Sequence, residues 1–127
     1  ELAIGLPVPR PALRLVQKGG TIRLIRTDTG QDLTAAMAEF CRRFFLRHPD
    51  ASAAVLKERS PSCGIANTVV YDASGRALRR TGWGLFAASC RTHLAGRPVV
   101  PSARVSSPAG AQWFLARLDA GARTHTR

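Results

Sequence analysis

The run Ala53-Ala54-Val55-Leu56 passes without a break into Lys57-Glu58-Arg59-Ser60-Pro61-Ser62-Cys63-Gly64. Four apolar residues between the turn-forming His48-Pro49-Asp50 and a polar loop are too few for a helix, so they read as a short buried strand of a parallel sheet. The carboxyl end of that strand delivers the 57–64 loop, and α/β sheets put their sites at that end. The fold expected around it is α/β: a Rossmann-like layered sheet with flanking helices. At 127 residues the chain suffices for one domain and one hydrophobic core.

Upstream, Asp32 is a good N-cap, and Leu33, Met37, Phe40, Cys41 and Phe44 follow at spacings of three and four. This predicts a helix buried along one face and stopped at His48-Pro49. Residues 13–17 and 21–26 are strand-like and are joined by Lys18-Gly19-Gly20, as a hairpin or a loop excursion. The first dozen residues, with Pro7, Pro9 and Pro11, read as extended loop, because proline fixes φ and restricts the residue before it.

Downstream, residues 67–71 form a further extended run, and Asp72-Ala73-Ser74-Gly75 is a turn by composition. Gly82-Trp83-Gly84 leads into a helix carrying Leu85, Phe86, Cys90 and Leu94, closed by Gly96 with Pro98 beyond it. Val99-Val100 is a short strand. Ser107-Pro108 caps a last helix that should bury Trp113, Phe114 and Leu118. The expected domain spans residues 1–121, with 122–127 as a fraying tail.

The formal net charge is +11, which raises a nucleic-acid or anionic-surface partner. Seventeen of the nineteen basic residues are arginines, scattered from Arg10 to Arg127, and aromatic residues do not interleave with them as a stacking platform would require, so a solvated basic surface is preferred to a nucleic-acid footprint. No run reaches the ~20 apolar residues that span a bilayer. Three cysteines without paired spacing argue against a disulfide framework and for a reducing, cytoplasmic setting.

The cysteines differ in setting. Cys41 and Cys90 fall on apolar helical faces, where a free cysteine packs as a small hydrophobe. Cys63 lies in a loop, is followed by a glycine and has Lys57 and Arg59 nearby, which favours a nucleophile or metal ligand over a structural thiol. His48 and His93 sit near helix ends and His125 in the tail, so all three read as structural or solvated. The sequence carries no metal-binding His pair, phosphate-binding glycine loop or nucleophile elbow.

The segment Leu56-Lys57-Glu58-Arg59-Ser60-Pro61-Ser62-Cys63-Gly64 resembles the hallmark of a bacterial family tied to 2-thiouracil desulfidase activity. The opening ELAIGLPVPRP, Gly30-Gln31-Asp32-Leu33-Thr34 and the glycine-led segment 82–94 resemble further family segments in the same order, so the likeness covers roughly residues 1 to 100. It implies a [4Fe-4S] cluster held by three cysteines, with one iron open to the sulfur of a small thiolated nucleobase, which is converted with release of sulfide. Cys63 is then a cluster ligand, and Glu1 and Ser60 the catalytic pair; their alternative readings are a solvated terminal residue and a loop-capping serine.

In the family the other two cluster cysteines lie upstream of the stretch that Glu1 opens, and the first strand and helix lie there too; this chain has no counterpart of them, and Cys41 and Cys90 do not align with them. Two rivals therefore stand beside a desulfidase-family domain: an inactive fragment or paralogue without a cluster, and a module that binds RNA or thionucleosides.

Overall fold

The computed structural model describes residues 4–6 and 12–125, with side chains through residue 120. Strand β1 (Leu13–Lys18) turns at Lys18-Gly19-Gly20 into β2 (Thr21–Arg26), and the two pair antiparallel from Leu13 opposite Arg26 to Lys18 opposite Thr21. The turn uses Gly19 at φ 60°, a left-handed conformation that costs glycine nothing. The hairpin is the outcome of the two readings left open by the sequence.

Helix α1 (Thr34–Arg47) and strand β3 (Ala54–Leu56) follow, then β4 (Thr68–Tyr71), β5 (Ala77–Gly82), α2 (Leu85–His93), β6 (Val99–Pro101), a 3₁₀ turn (Ser102–Val105) and α3 (Pro108–His125). β4 runs parallel to β1 with Val70 beside Leu15, and β5 returns antiparallel to β4, which gives the order β2-β1-β4-β5. β3 pairs parallel with β6 in a separate two-stranded sheet, Ala54 beside Val99. The architecture is the expected α/β layering, with a mixed sheet split in two.

Two helices tie the sheets together. Leu15, Leu24 and Val70 of the larger sheet pack with Met37 and Cys41 of α1, and Leu6 inserts into the same cluster. Phe45 of α1 and Ala87, Cys90 and Leu94 on and after α2 pack with Leu56 of β3 in a second cluster. Phe86 touches both clusters, so the α1–α2 pair is shared by two small cores.

Two local expectations are corrected, and one strand had no counterpart among them. Helix α1 begins at Thr34, not just after Asp32, because Asp32 bridges to Ile25 and its Oδ2 lies 2.7 Å from Arg23 Nε. Its Oδ1 still accepts the Thr34 amide at 2.9 Å, so the capping chemistry survives with the helix displaced. Strand β5 was invisible in Ala77-Leu78-Arg79-Arg80-Thr81-Gly82 because an edge strand with only Gly82 buried carries no alternation. Helix α3 leaves Trp113, Phe114 and Leu118 half-buried and Leu115 59% exposed. It packs against the 3₁₀ turn at the end of the domain, which offers too little surface to cover an apolar face.

No helix among the described residues is long and apolar enough to cross a membrane. Leu24 is fully buried in the larger core, whereas Leu78 on β5 is 48% exposed. Leu24→Ala should cost about 2–5 kcal/mol in urea unfolding, and Leu78→Ala should stay within about 0.5 kcal/mol of the parent. Equal costs would show that the larger sheet does not organise the core as described.

Candidate active site

The 57–64 segment leaves β3 and folds back on itself before β4. Arg59 and Ala66 take φ of 60° and 55°, left-handed values that cost non-glycine residues energy and cluster at functional loops. Between them the chain is pinned from inside. The Gly64 amide donates to Ser60 O at 2.8 Å, the Thr68 hydroxyl donates to the same oxygen at 3.1 Å, and the Arg59 amide donates to Asn67 Oδ1 at 3.1 Å. A Cβ on Gly64 would sit 1.9 Å from Thr68 Oγ1, so only glycine permits this closure.

The loop is also pinned from outside, by the start of α2. A helix leaves its first amides without internal partners. Here Gly84 N donates to Gly64 O at 2.8 Å, Leu85 N to Pro61 O at 3.0 Å and Ala87 N to Ser62 O at 3.0 Å. A Cβ at position 84 would fall 2.4 Å from Ser62 C and 2.6 Å from Cys63 N, so Gly84 is what lets the helix approach.

Cys63 stands on this platform, half-buried, and with Ser62 it lines a cavity of about 750 Å³. Met37, Phe40 and Phe44 of α1, Phe86 of α2 and residues of β3 form its walls. Helical spacing puts Phe40 and Phe44 on the buried face of α1; both are half-buried, and the ring centroids of Phe40 and Phe86 are 5.7 Å apart. Nothing in their spacing separates a cavity wall from a core face.

Ser60 stands one hydrogen bond behind the lining. Its Oγ lies 2.9 Å from Ser62 Oγ and accepts the amides of Ser62 at 3.2 Å and Cys63 at 3.3 Å. Ser62, which the sequence did not single out, is the serine that borders the cavity. Lys57 and Arg59 are exposed, and Glu1 lies outside the described residues. Glu58 is occupied elsewhere: its carboxylate accepts the Ala103 amide and the Ser102 hydroxyl, and the Ala103 amide chiefly holds it below the usual carboxylate range. It staples the loop to the 3₁₀ turn.

Cys41 and Cys90 are buried. Burial raises the Cys41 thiol, and burial together with the neighbouring Cys41 and Cys63 pushes Cys90 up to about 12. His48 and His93 sit at helix ends against Phe44 and Phe45, with the His93 ring stacked 4.3 Å from Phe45. Among the described residues no group of three His, Cys, Asp or Glu side chains could hold a metal ion. A three-thiolate cluster site is therefore not complete in the described chain: Cys63 is placed to contribute, and the other two thiols are buried in the cores, Cys90 also on the inner wall of the same cavity.

Iodoacetamide on the native protein should modify Cys63 first, with Cys41 and Cys90 reacting only after unfolding. Between pH 9.0, the ordinary thiol value, and about 12, the folded chain holds the Cys90 proton that the unfolded chain releases, so stability falls as pH rises through that window. The melting temperature should drop from about pH 8 to about pH 10, and drop less in Cys90→Ala; an unchanged slope in that variant would remove Cys90 from the account.

The sequence profile described as 2-thiouracil desulfurase matches residues 1–100. A solved structure of a [4Fe-4S]-dependent thiouracil desulfidase, TudS, is similar over 91% of this chain and 70% of its own, with 29% identity and a TM-score of 0.62. No curated protein matches. The chain belongs to the 2-thiouracil desulfurase family.

Proposed function

We propose that this chain is the substrate-facing part of a desulfidase that removes sulfur from a thiolated nucleobase such as 2-thiouracil. The observation that carries the reading is the placement of Cys63 and Ser62, on a loop locked to α2, in the wall of a large cavity flanked by aromatic rings. A planar thiopyrimidine entering there meets Phe40, Phe44 and Phe86, whose faces suit stacking. Its polar edge meets the two residues that offer hydroxyl and thiol.

In this reading Ser60 and Ser62 handle a proton together. With both lone pairs of Ser60 Oγ engaged by the amides of Ser62 and Cys63, its hydroxyl is left to donate across the 2.9 Å to Ser62 Oγ, which leaves the Ser62 hydroxyl proton free to be offered to a group in the cavity. Glu1 is the further member of the catalytic pair implied by the family likeness. Cys63 supplies one thiolate to a [4Fe-4S] cluster whose remaining ligands come from outside the described residues; the cluster, when bound, supplies a Lewis acid for sulfur. Three free thiols suit the reducing cytoplasm that this cofactor needs.

Anaerobic reconstitution with iron and sulfide tests the reading. The chain alone should hold well below one cluster and turn over no 2-thiouracil. Joining it to a segment that supplies two thiolates, Cys-Pro directly ahead of Glu1 among them, should raise both, and Cys63→Ser in that longer protein should abolish both. A full cluster on the chain alone, or one that survives Cys63→Ser, would contradict the ligand assignment.

A further inference from the structure

The chain has two tryptophans, and both line one groove of about 350 Å³ that contains neither Ser62 nor Cys63 and shares only Leu94 with the Cys63 cavity. Trp83 precedes α2, and Arg91 from the last turn of that helix lays its guanidinium 4.8 Å from the Trp83 ring centroid. Trp113 of α3 is flanked by Arg104 at 4.3 Å and Arg117 at 5.4 Å. Arg97 also lines the groove and spends a guanidinium N–H on a neutral acceptor, Ala51 O, at 2.6 Å.

The wall at Trp113 is assembled by a close approach. A Cβ on Gly110 would lie 2.0 Å from Arg104 O, so glycine at the start of α3 lets the helix settle on the 3₁₀ turn and brings Arg104 over the indole. Residues 101–127, which contribute Arg104, Trp113 and Arg117, lie beyond the stretch matched to the family.

Among the described residues no carboxylate lines this groove, and the ion pairs engage Asp28, Asp32 and Glu39 elsewhere. The spacing of arginines and aromatic residues in sequence marks no stacking platform; the fold assembles one here from Trp83 and Trp113.

We propose that this groove binds single-stranded nucleic acid, with a base stacked on the indole and guanidinium planes and its flanking phosphates on Arg91, Arg97 and Arg117. Stacking on an aromatic platform tolerates any base, because each has a π-face. A guanidinium matches a phosphate through two parallel N–H donors and can keep its stack on the indole while doing so. The net charge of +11 draws a polyanion to the surface, and the paired indoles mark where on that surface it settles. The proposal uses none of Ser60, Ser62 or Cys63, so it stands or falls separately from the desulfidase reading.

Because both tryptophans line the groove, the intrinsic fluorescence of the cluster-free chain reports on its occupation. An unstructured eight-nucleotide RNA and the DNA of the same sequence should each be titrated at moderate salt, with inorganic polyphosphate as the purely electrostatic ligand. Quenching by either oligonucleotide, weakened about tenfold in Arg91→Gln and in Arg117→Gln and less than about twofold in Arg80→Gln on β5, is the expected result. Arg80, Arg91 and Arg117 are exposed, so the variants should keep the parent melting curve. Absence of quenching, an equal loss in Arg80→Gln, or polyphosphate that quenches at equal affinity would overturn the proposal.

Discussion

Three backbone amides at the start of α2 hold the site together. Gly84, Leu85 and Ala87 would be left without acceptors by the helix itself, and the carbonyls of Gly64, Pro61 and Ser62 satisfy them. Neither partner is stable alone: the helix would carry unsatisfied donors, and the loop would carry unsatisfied acceptors between two residues at positive φ. The arrangement also depends on two glycines, since a side chain at position 64 or 84 would collide with the loop. Everything else about the site follows from this lock.

One consequence is the direction of Cys63. Its amide is tied to Ser60 Oγ and its neighbour's carbonyl to α2, so the side chain is left toward the cavity while the backbone is immobile. A second is the place of Phe86, next to the last of the locking amides, where it packs against both cores and forms a cavity wall. Loop, helix and cores are thus coupled, and packing around α1 and α2 supports a reactive sulfur without supplying the chemistry. Glu58 extends the coupling to the carboxyl-terminal part of the chain by gripping the 3₁₀ turn, from which α3 and the arginine–tryptophan groove are built.

Much of this was legible in the residues. The apolar run at 53–56, the stop at His48-Pro49, the glycine-flanked entry to α2 and the 3.6-residue spacing of α1 are local signals, and each maps onto an observed element. The loop motif and the buried settings of Cys41 and Cys90 were legible for the same reason. What escaped was set at long range. β5 is a strand because β4 offers it an edge, Ser62 borders the cavity because α2 holds its carbonyl, and Arg104 meets Trp113 only after α3 docks. The burial expected of Trp113 and Phe114 failed because periodicity names a face and says nothing of what is available to cover it.

The lock between α2 and the loop is measured most directly by amide hydrogen exchange on the intact chain. The amides of Gly64, Gly84, Leu85 and Ala87 should exchange with the slow class of the core, alongside Leu15 and Leu24, because releasing any of them means opening α2 from the domain. A fast class containing Gly84, Leu85 and Ala87 while Leu15 and Leu24 remain protected would contradict the account, since Cys63 would then stand on a loop that nothing holds.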